Sequence, residues 1–265
     1  MRIIYDNAID RATTLTASST ATGFSASNLR NSLKSSVHRS TGSSVTYTAT
    51  WSIGETISGI ALPATNLLAG DTIGVSLNGG ATTTVQACGS RTVLLLDGTT
   101  TPTYQHFGFG GATKTSFWYE TPQTGITSLA ITLTRVGRST PIDCSKIVCG
   151  NYWKSSRMPS NGIQLGSEDN SEITATRTGN LYVDRRYLTE TMSFSLQYID
   201  DTDRQNLLNI FRTWGTSGFV YVCVFPDNAN PEITQSYSIY GRSTSNQLEY
   251  ALHSLYNSSL SIAGW

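Results

Sequence analysis

Four cysteines and three histidines are the residues of this chain that could hold a metal or attack a substrate. The histidines lie far apart and share no motif. A zinc or iron–sulfur site needs four ligands close together, so Cys144 and Cys149 would have to recruit Cys88 and Cys223 from distant segments. If residues 144–149 form one strand, the odd separation points the pair to opposite faces. We therefore expect no metal and no cofactor.

Catalytic signatures are missing from the sequence. It contains no Gly-x-Ser-x-Gly elbow, no His-Glu-x-x-His motif, no Cys-x-x-Cys pair and no glycine-rich phosphate loop. The 18 acidic residues stand in Ser- and Thr-rich surroundings, and none is marked out as part of a glycosidase-type carboxylate pair. The sequence predicts a protein that binds and assembles, with no catalytic residues.

A glycine-rich segment carries the aromatic residues that could contact a ligand. Tyr104, His106, Phe107 and Phe109 precede the aromatic run that contains Trp118. Aromatic rings on such a loop could stack on sugar rings or anchor a partner chain. The alternative is that Trp118 belongs to the core and the glycines form a wide turn, because large aromatic side chains usually contribute core burial.

The charge balance excludes partners that need a basic surface. Lys plus Arg and Asp plus Glu both number 18, and the pI is about 6.8. This balance shows no excess of positive charge of the kind that binds nucleic acid or an anionic membrane. The N-terminus has no apolar stretch of the signal-peptide kind, and no window approaches the length of a membrane span. We expect cytosolic synthesis and no membrane span.

The first part of the chain has the pattern of a β-sandwich. Short runs rich in Val, Ile, Thr and aromatic residues alternate with Gly, Ser and Asn clusters. Val75 and Leu77, for example, alternate with Gly74 and Ser76, which indicates a strand with one buried face. Many such strands separated by turn signals predict a sandwich over residues 1–150.

The rest of the chain divides into a connector and a second module. The sequence of residues 151–180 predicts a connector with an extended excursion. Residues 181–265 are predicted to form the second module. The module opens with a strand in which Met192, Phe194 and Leu196 alternate with polar residues.

The second module also contains the one convincing helix of the sequence. Residues 200–203 supply cap candidates and negative charge for its N-terminus, and Gly215 ends it. An apolar stripe at helical spacing is formed by Leu207, Ile210, Phe211 and Trp214. The run Phe219–Phe225 is apolar on both faces and predicts a central strand.

Two parts of the chain resemble tail proteins of tailed bacteriophages. The first part resembles the opening of a galactose-binding-like, discoidin-type jelly roll found in such proteins. Its segments are Asn7–Asp10, Leu15–Ser19, Phe24–Leu29, Val37–Ser40, Trp51–Gly54 and Ile60–Leu67. The part from Arg185 to Ile262 is similar to the belt domain of distal tail and tail-tip proteins. There a strand, a helix after an Asp-rich turn, an apolar strand ending at Pro226 and a Tyr240-Gly241 strand form a small β-barrel-like module.

The resemblance implies a mainly β fold with an N-terminal jelly-roll β-sandwich and a small β-barrel-like module with one α-helix. It also implies a structural subunit that forms a homo-oligomeric ring at the end of the tail tube. Neighbours would be the tube, hub and fibre proteins and host surface glycans, and the protein would reside in the virion after synthesis in the host cytoplasm. The main alternative is a carbohydrate-binding adhesin, and a glycan-cleaving depolymerase is the third.

Overall fold

The computed structural model describes residues 1–87, 92–94, 100–102, 113–160, 162–175, 177–184, 186, 188–252 and 255–265. Two modules are visible, each built on its own β-sheet. A β-sandwich occupies residues 6–150. The second module combines the first five residues of the chain with residues 151–265.

The strands of the sandwich form one eight-stranded sheet and one separate two-stranded sheet. Their bounds are β2 Thr14–Ala17, β3 His38–Arg39, β4 Ser44–Thr65, β5 Thr72–Leu77, β6 Thr83–Gln86, β7 Thr92–Leu94, β8 Thr100–Pro102, β9 Thr113–Thr134, β10 Asp143–Cys144 and β11 Val148–Gly150. Short 3-10 helical turns span Ala8–Arg11 and Ala26–Arg30.

The long strands β4 and β9 pair over nearly their whole length and form the frame of the sandwich. Register shifts interrupt the pairing at four places, the first between Thr50 and Glu55. The first half of β4 alternates buried and partly exposed residues, whereas its second half, Ile57–Thr65, is buried throughout. One face of that second half packs into the sandwich core and the other meets the second module.

The second module is a seven-stranded sheet with two helices. Its elements are β1 Arg2–Ile4, β12 Tyr152–Lys154, β13 Gln164–Asp169, β16 Leu188–Ile199, α1 Asp201–Trp214, β17 Phe219–Cys223, α2 Pro231–Ser236, β18 Ser238–Leu252 and β19 Leu255–Gly264. The strand order is β12-β1-β17-β18-β19-β16-β13. A separate hairpin, β14 Glu172–Ala175 with β15 Leu181–Asp184, lies between β13 and β16 in the chain.

The sandwich is inserted into a hairpin of the second module. Strands β1 and β12 are antiparallel neighbours, with Ile4 opposite Tyr152. The chain therefore leaves the second sheet after β1, builds the whole sandwich and returns to pair beside its starting point. The two ends of the insertion nearly touch, since a Cβ on Gly150 would lie 2.2 Å from the Asp6 carbonyl oxygen.

Helix α1 forms as its sequence predicts. The Asp200 carboxylate accepts a hydrogen bond from the Asp203 amide at 2.8 Å, which caps the first turn. Leu207 and Ile210 are buried in the core of the second module, and Phe211 packs against it. The helix ends at Gly215, whose φ of +53° suits glycine.

The mainly β fold with an N-terminal sandwich is confirmed. Two features of the second module differ from the expectation: the described strands form an open sheet edged by β12 and β13, with no closed barrel, and α2 is a second helix. Strands β12, β13 and β14 lie within the predicted connector, and β1 lies within the predicted first domain. A three-residue strand carries no local signal for a partner more than two hundred residues away.

Candidate functional site

The hairpin formed by β14 and β15, here called the arm, has one apolar face and one polar face. Ile173 pairs with Val183, and Ala175 pairs with Leu181. Residues directly opposite each other, and residues two apart on one strand, share a face of a sheet. These four side chains therefore form a continuous apolar face.

No residue of the described chain covers the apolar face of the arm. Ile173, Leu181 and Val183 are 65%, 69% and 54% exposed, and neither arm strand pairs with any other described strand. A two-stranded hairpin alone is marginally stable in water, and exposed apolar patches mark interaction sites. The arm is therefore suited to pack against another chain.

The polar face of the arm is held by ion pairs. Arg186 contacts Glu172 at 2.5 Å and Asp184 at 3.2 Å. All of these groups are about half exposed or more, so the pairs contribute little to stability. They do distinguish the solvent-facing side of the hairpin from its apolar side.

The strand next to the arm in sequence, β13, is an open edge of the second sheet. Among the described strands it pairs only with β16. All six residues of β13 are exposed, including Leu165. An open edge presents unpaired backbone groups to another chain. The arm and this edge therefore each present a surface that no described residue covers.

The two modules meet in an apolar and aromatic cluster. It contains Ile4, Ala61, Val148, Tyr221, Cys223 and Tyr240, with Trp118, Tyr152, Phe219 and Trp265 packed against it. Tyr152 donates its hydroxyl to the Tyr119 carbonyl at 3.0 Å. The N-terminal strand β1 contributes Ile4 to this cluster and Ile3 to the core of the second module. The strand therefore connects the junction cluster with that core.

A polar cavity of about 180 Å³ lies at the junction of the modules. The sandwich contributes Gln86 and Lys114, and the second module contributes Asn228 and Gln235. A second cavity of about 380 Å³ shares Lys114, Gln235 and Ser238 with the first. The Lys114 ammonium pairs with Glu190 and donates to the Ser238 carbonyl at 2.9 Å.

The described cysteines are buried free thiols. Cys144 and Cys149 lie on separate short strands, β10 and β11, inside the sandwich core, and Cys223 lies at the junction. Burial raises the pKa of Cys144 to about 12 and that of Cys223 to about 11, and it also raises the pKa of Cys149. Thiols in this state behave as small apolar residues rather than nucleophiles.

Several residues singled out in the sequence lie outside the described part of the chain. They are the candidate contacts Tyr104, His106, Phe107 and Phe109, together with Cys88. Within the described ranges, no three His, Cys, Asp or Glu side chains come together as metal ligands would, and no helix is long and apolar enough to cross a membrane. The prediction of a chain without metal stays a prediction.

The arm was missed by the sequence analysis, although the sequence carries a signal for it. Ile173-Thr174-Ala175 and Leu181-Tyr182-Val183 each alternate with period two, and Gly179 lies between them. The alternation is short and stands among polar residues, which favoured a connector. Trp118, in contrast, packs at the junction rather than in the sandwich core.

No model of a known protein family matches the sequence, and no curated protein matches it at a significant level. Solved structures with partial similarity include the family 32 carbohydrate-binding module of C. perfringens NanJ in complex with galactose. It is 11% identical at a TM-score of 0.39, over 58% of this chain and 100% of the module.

Two further solved modules are similar to a comparable part of the chain. Chitosan-binding module 1 of a Paenibacillus sp. IK-5 chitosanase/glucanase is 19% identical at a TM-score of 0.36, over 55% of this chain and 99% of the module. A Streptococcus pneumoniae fucose-binding module is 11% identical at a TM-score of 0.37, over 56% of this chain and 99% of the module. At such values no ligand and no site residue is transferred to this chain.

Proposed function

We propose that this protein is a non-catalytic structural subunit that assembles with copies of itself through the apolar face of the arm. The observation that carries the proposal is the exposure of Ile173, Leu181 and Val183 on one face of a hairpin that no described residue of the chain covers. Covering that face removes apolar surface from water and stabilises the hairpin at the same time.

The occupant of the arm is a second copy of the chain. If the arm of each copy packs on a different surface of the next, the contacts are heterologous and close into a ring when the rotation allows it. The resemblance of residues 185–262 to phage belt domains supports such a ring at the end of a tail tube. In this proposal the protein resides in the virion, is made in the host cytoplasm, and contacts tube, hub and fibre proteins.

Excision of the arm tests the assembly. Replacing residues 172–184 by a short Gly-Ser linker removes the apolar face and leaves the pairing of β13 with β16 intact. Light scattering on the full chain should show a discrete oligomer that becomes a monomer in the excised variant. A full chain that is monomeric at high concentration, alone and with tail tubes, would refute the proposal.

Carbohydrate binding by the sandwich is the second candidate function. The observation that favours it is the polar junction cavity, which Gln86, Thr115 and Ser116 of the sandwich line with amide and hydroxyl groups. Such groups suit sugars, whose hydroxyls both donate and accept hydrogen bonds. In the sequence, Tyr104 and Phe107 are the aromatic residues that this candidate function would use.

A saccharide screen separates the two candidates. Galactose, fucose and chitosan, the sugars named for the solved modules, are the first probes for calorimetry on the full chain. Tyr104→Ala and Phe107→Ala should weaken binding, whereas Tyr198→Ala, which removes an exposed aromatic ring of the second module, should not. Equal binding by all three variants would contradict a role for the aromatic-rich segment.

A further inference from the structure

Strand β13 is an edge strand that lacks the usual protection against pairing with another chain. It contains no proline and no lysine, and its pairing with β16 runs from Gln164 to Asp169 without a bulge. Proteins commonly protect an open edge with such features. Its two charged residues, Glu168 and Asp169, lie together at one end. The first four residues are therefore an uncharged stretch that can accept one further strand.

Leu165 extends an apolar face of the second sheet to this open edge. It pairs with Met192, which is buried in the core of the second module, and directly opposite residues share a face of a sheet. Leu165 itself is 46% exposed, and no described strand lies beyond β13. A strand added at this edge therefore buries Leu165 best when it places an apolar residue opposite it.

Strand β15 of the arm matches the uncharged stretch of β13 in length and in pattern. It has four residues, and among the described strands it pairs only with β14, so that its other edge is open. In an antiparallel alignment with Asp184 opposite Gln164, the apolar Val183 lies opposite Leu165. Leu181 then lies on the same face as Val183, because residues two apart on a strand share a face.

Charge decides the direction of the added strand. In the antiparallel alignment, the turn of the arm lies beside the acidic end of β13, and this turn carries the exposed Arg177. A parallel alignment would instead bring Asp184 to the end that carries Glu168, and antiparallel addition of β14 would bring Glu172 there. Like charges on neighbouring strands destabilise a sheet, so the antiparallel addition of β15 is favoured.

We propose that β15 of one copy adds to β13 of the next copy as an antiparallel strand, with Val183 opposite Leu165 and Arg177 beside Glu168. The inference rests on the proposed assembly through the arm and deepens it by naming the surface that receives the arm. The contact joins two different surfaces of the chain and is therefore heterologous, as a ring requires.

Disulfide cross-linking of the full chain tests this pairing. The Cβ atoms of directly opposite residues lie about 4.5–5.5 Å apart, which a disulfide can bridge with a small adjustment. Leu165→Cys combined with Val183→Cys should give a ladder of covalent oligomers on non-reducing gels after mild oxidation. Leu165→Cys combined with Tyr182→Cys, on the other face of β15, should give no ladder. Each single variant, which keeps the cysteines of the native chain, should also give none.

A charge exchange tests the direction of the strand independently. Arg177→Glu should raise the dissociation constant of the oligomer about fivefold in sedimentation equilibrium, since an attraction between exposed charges becomes a repulsion. Adding Glu168→Arg to this variant should restore the affinity. Arg157→Glu is the matched control, because Arg157 is also exposed but lies outside the arm and β13, and it should leave the affinity unchanged.

The outcomes separate this pairing from the proposed assembly. An oligomer that dissociates when the arm is excised, but gives no ladder with the Leu165 and Val183 pair, would overturn the pairing and leave assembly through the arm standing. A ladder from Leu165→Cys alone would also overturn it, because two β13 edges would then pair with each other. Failure of Glu168→Arg to restore the affinity would contradict the direction, and a monomeric full chain would overturn both proposals.

Discussion

Arg2 and Trp118 join the two modules through a cation–π contact. The guanidinium carbon of Arg2, on β1 of the second sheet, lies 5.6 Å from the centre of the Trp118 ring on β9 and 4.9 Å from that of Tyr152. The Arg2 guanidinium also forms an ion pair with the Asp227 carboxylate, at a distance of 2.9 Å. Arg2 itself is buried. Its cation–π contacts are therefore shielded from water, and such contacts are stronger when they are desolvated. The junction is thus a packed interface rather than a flexible linker.

Close packing at the junction predicts a large effect of one added methyl group. A Cβ on Gly59 would lie 2.5 Å from the Trp118 ring and 2.9 Å from Ile4. Gly59→Ala should therefore lower the free energy of unfolding by about 1–3 kcal/mol in urea titrations. Gly42→Ala, where a Cβ meets nothing within 4 Å, should have little effect. Equal effects of the two substitutions would mean that the modules do not pack as described.

The insertion of the sandwich predicts how the second module can be isolated. A fragment of residues 151–265 lacks β1, which lies between β12 and β17, and should show no cooperative unfolding transition. Joining Tyr5 to Asn151 through an Asn-Gly turn restores the β1–β12 hairpin and should restore the transition. A cooperative fragment 151–265 without β1 would contradict the observed strand order.

Protonation of His38 should destabilise the sandwich. Its buried imidazole contacts the Tyr47 hydroxyl at 3.0 Å, and burial lowers its pKa below the ordinary value of 6.5. The unfolded chain therefore binds the proton at higher pH than the folded chain. The contribution of neutral His38 to the free energy of unfolding should be complete above pH 6.5. It should be lost as the pH falls through the lowered pKa of the folded chain. Urea titrations should show a smaller fall for His38→Gln; an identical slope would contradict this assignment.

Helix α1 should depend on one leucine far more than on its neighbour. Leu207 is fully buried in the core of the second module, so Leu207→Ala should cost about 2–5 kcal/mol. Leu208 is partly exposed and lies outside that core, and Leu208→Ala should cost about 1 kcal/mol or less. Urea midpoints of the two variants decide the matter, and equal costs would show that the helix packs through another face.

Local patterns predicted the local structure well. The stripe through Leu207 and Ile210, the cap at Asp200 and the stop at Gly215 all depend on neighbouring residues, and α1 begins and ends where they indicate. The position of β1 was not predictable from its three residues, because β1 pairs with β17, which is more than two hundred residues away in the sequence. The register shifts between β4 and β9 were not predictable for the same reason.

The burial of Tyr240 could not be read from the sequence. A tyrosine on a strand of the second module is suited to an interface between subunits and equally to burial within the chain; exposure would leave Tyr240 free for an interface. Tyr240 is instead buried at the junction, where its ring stacks on Phe219 at 5.4 Å. Burial within the chain and burial between chains require the same residue types, so sequence alone could not separate them. The exposed face of the arm became visible only with the pairing of Ile173 and Val183.

Substitutions on the two faces of the arm test the central claim most directly. Sedimentation equilibrium on the full chain should show that Leu181→Ser with Val183→Ser, on the apolar face, converts the oligomer into a monomer, and the monomer should still unfold cooperatively in urea. Tyr182→Ser, on the polar face of the same strand, should leave the oligomer intact. An oligomer that survives the apolar-face substitutions, or that dissociates equally with Tyr182→Ser, would contradict assembly through this face.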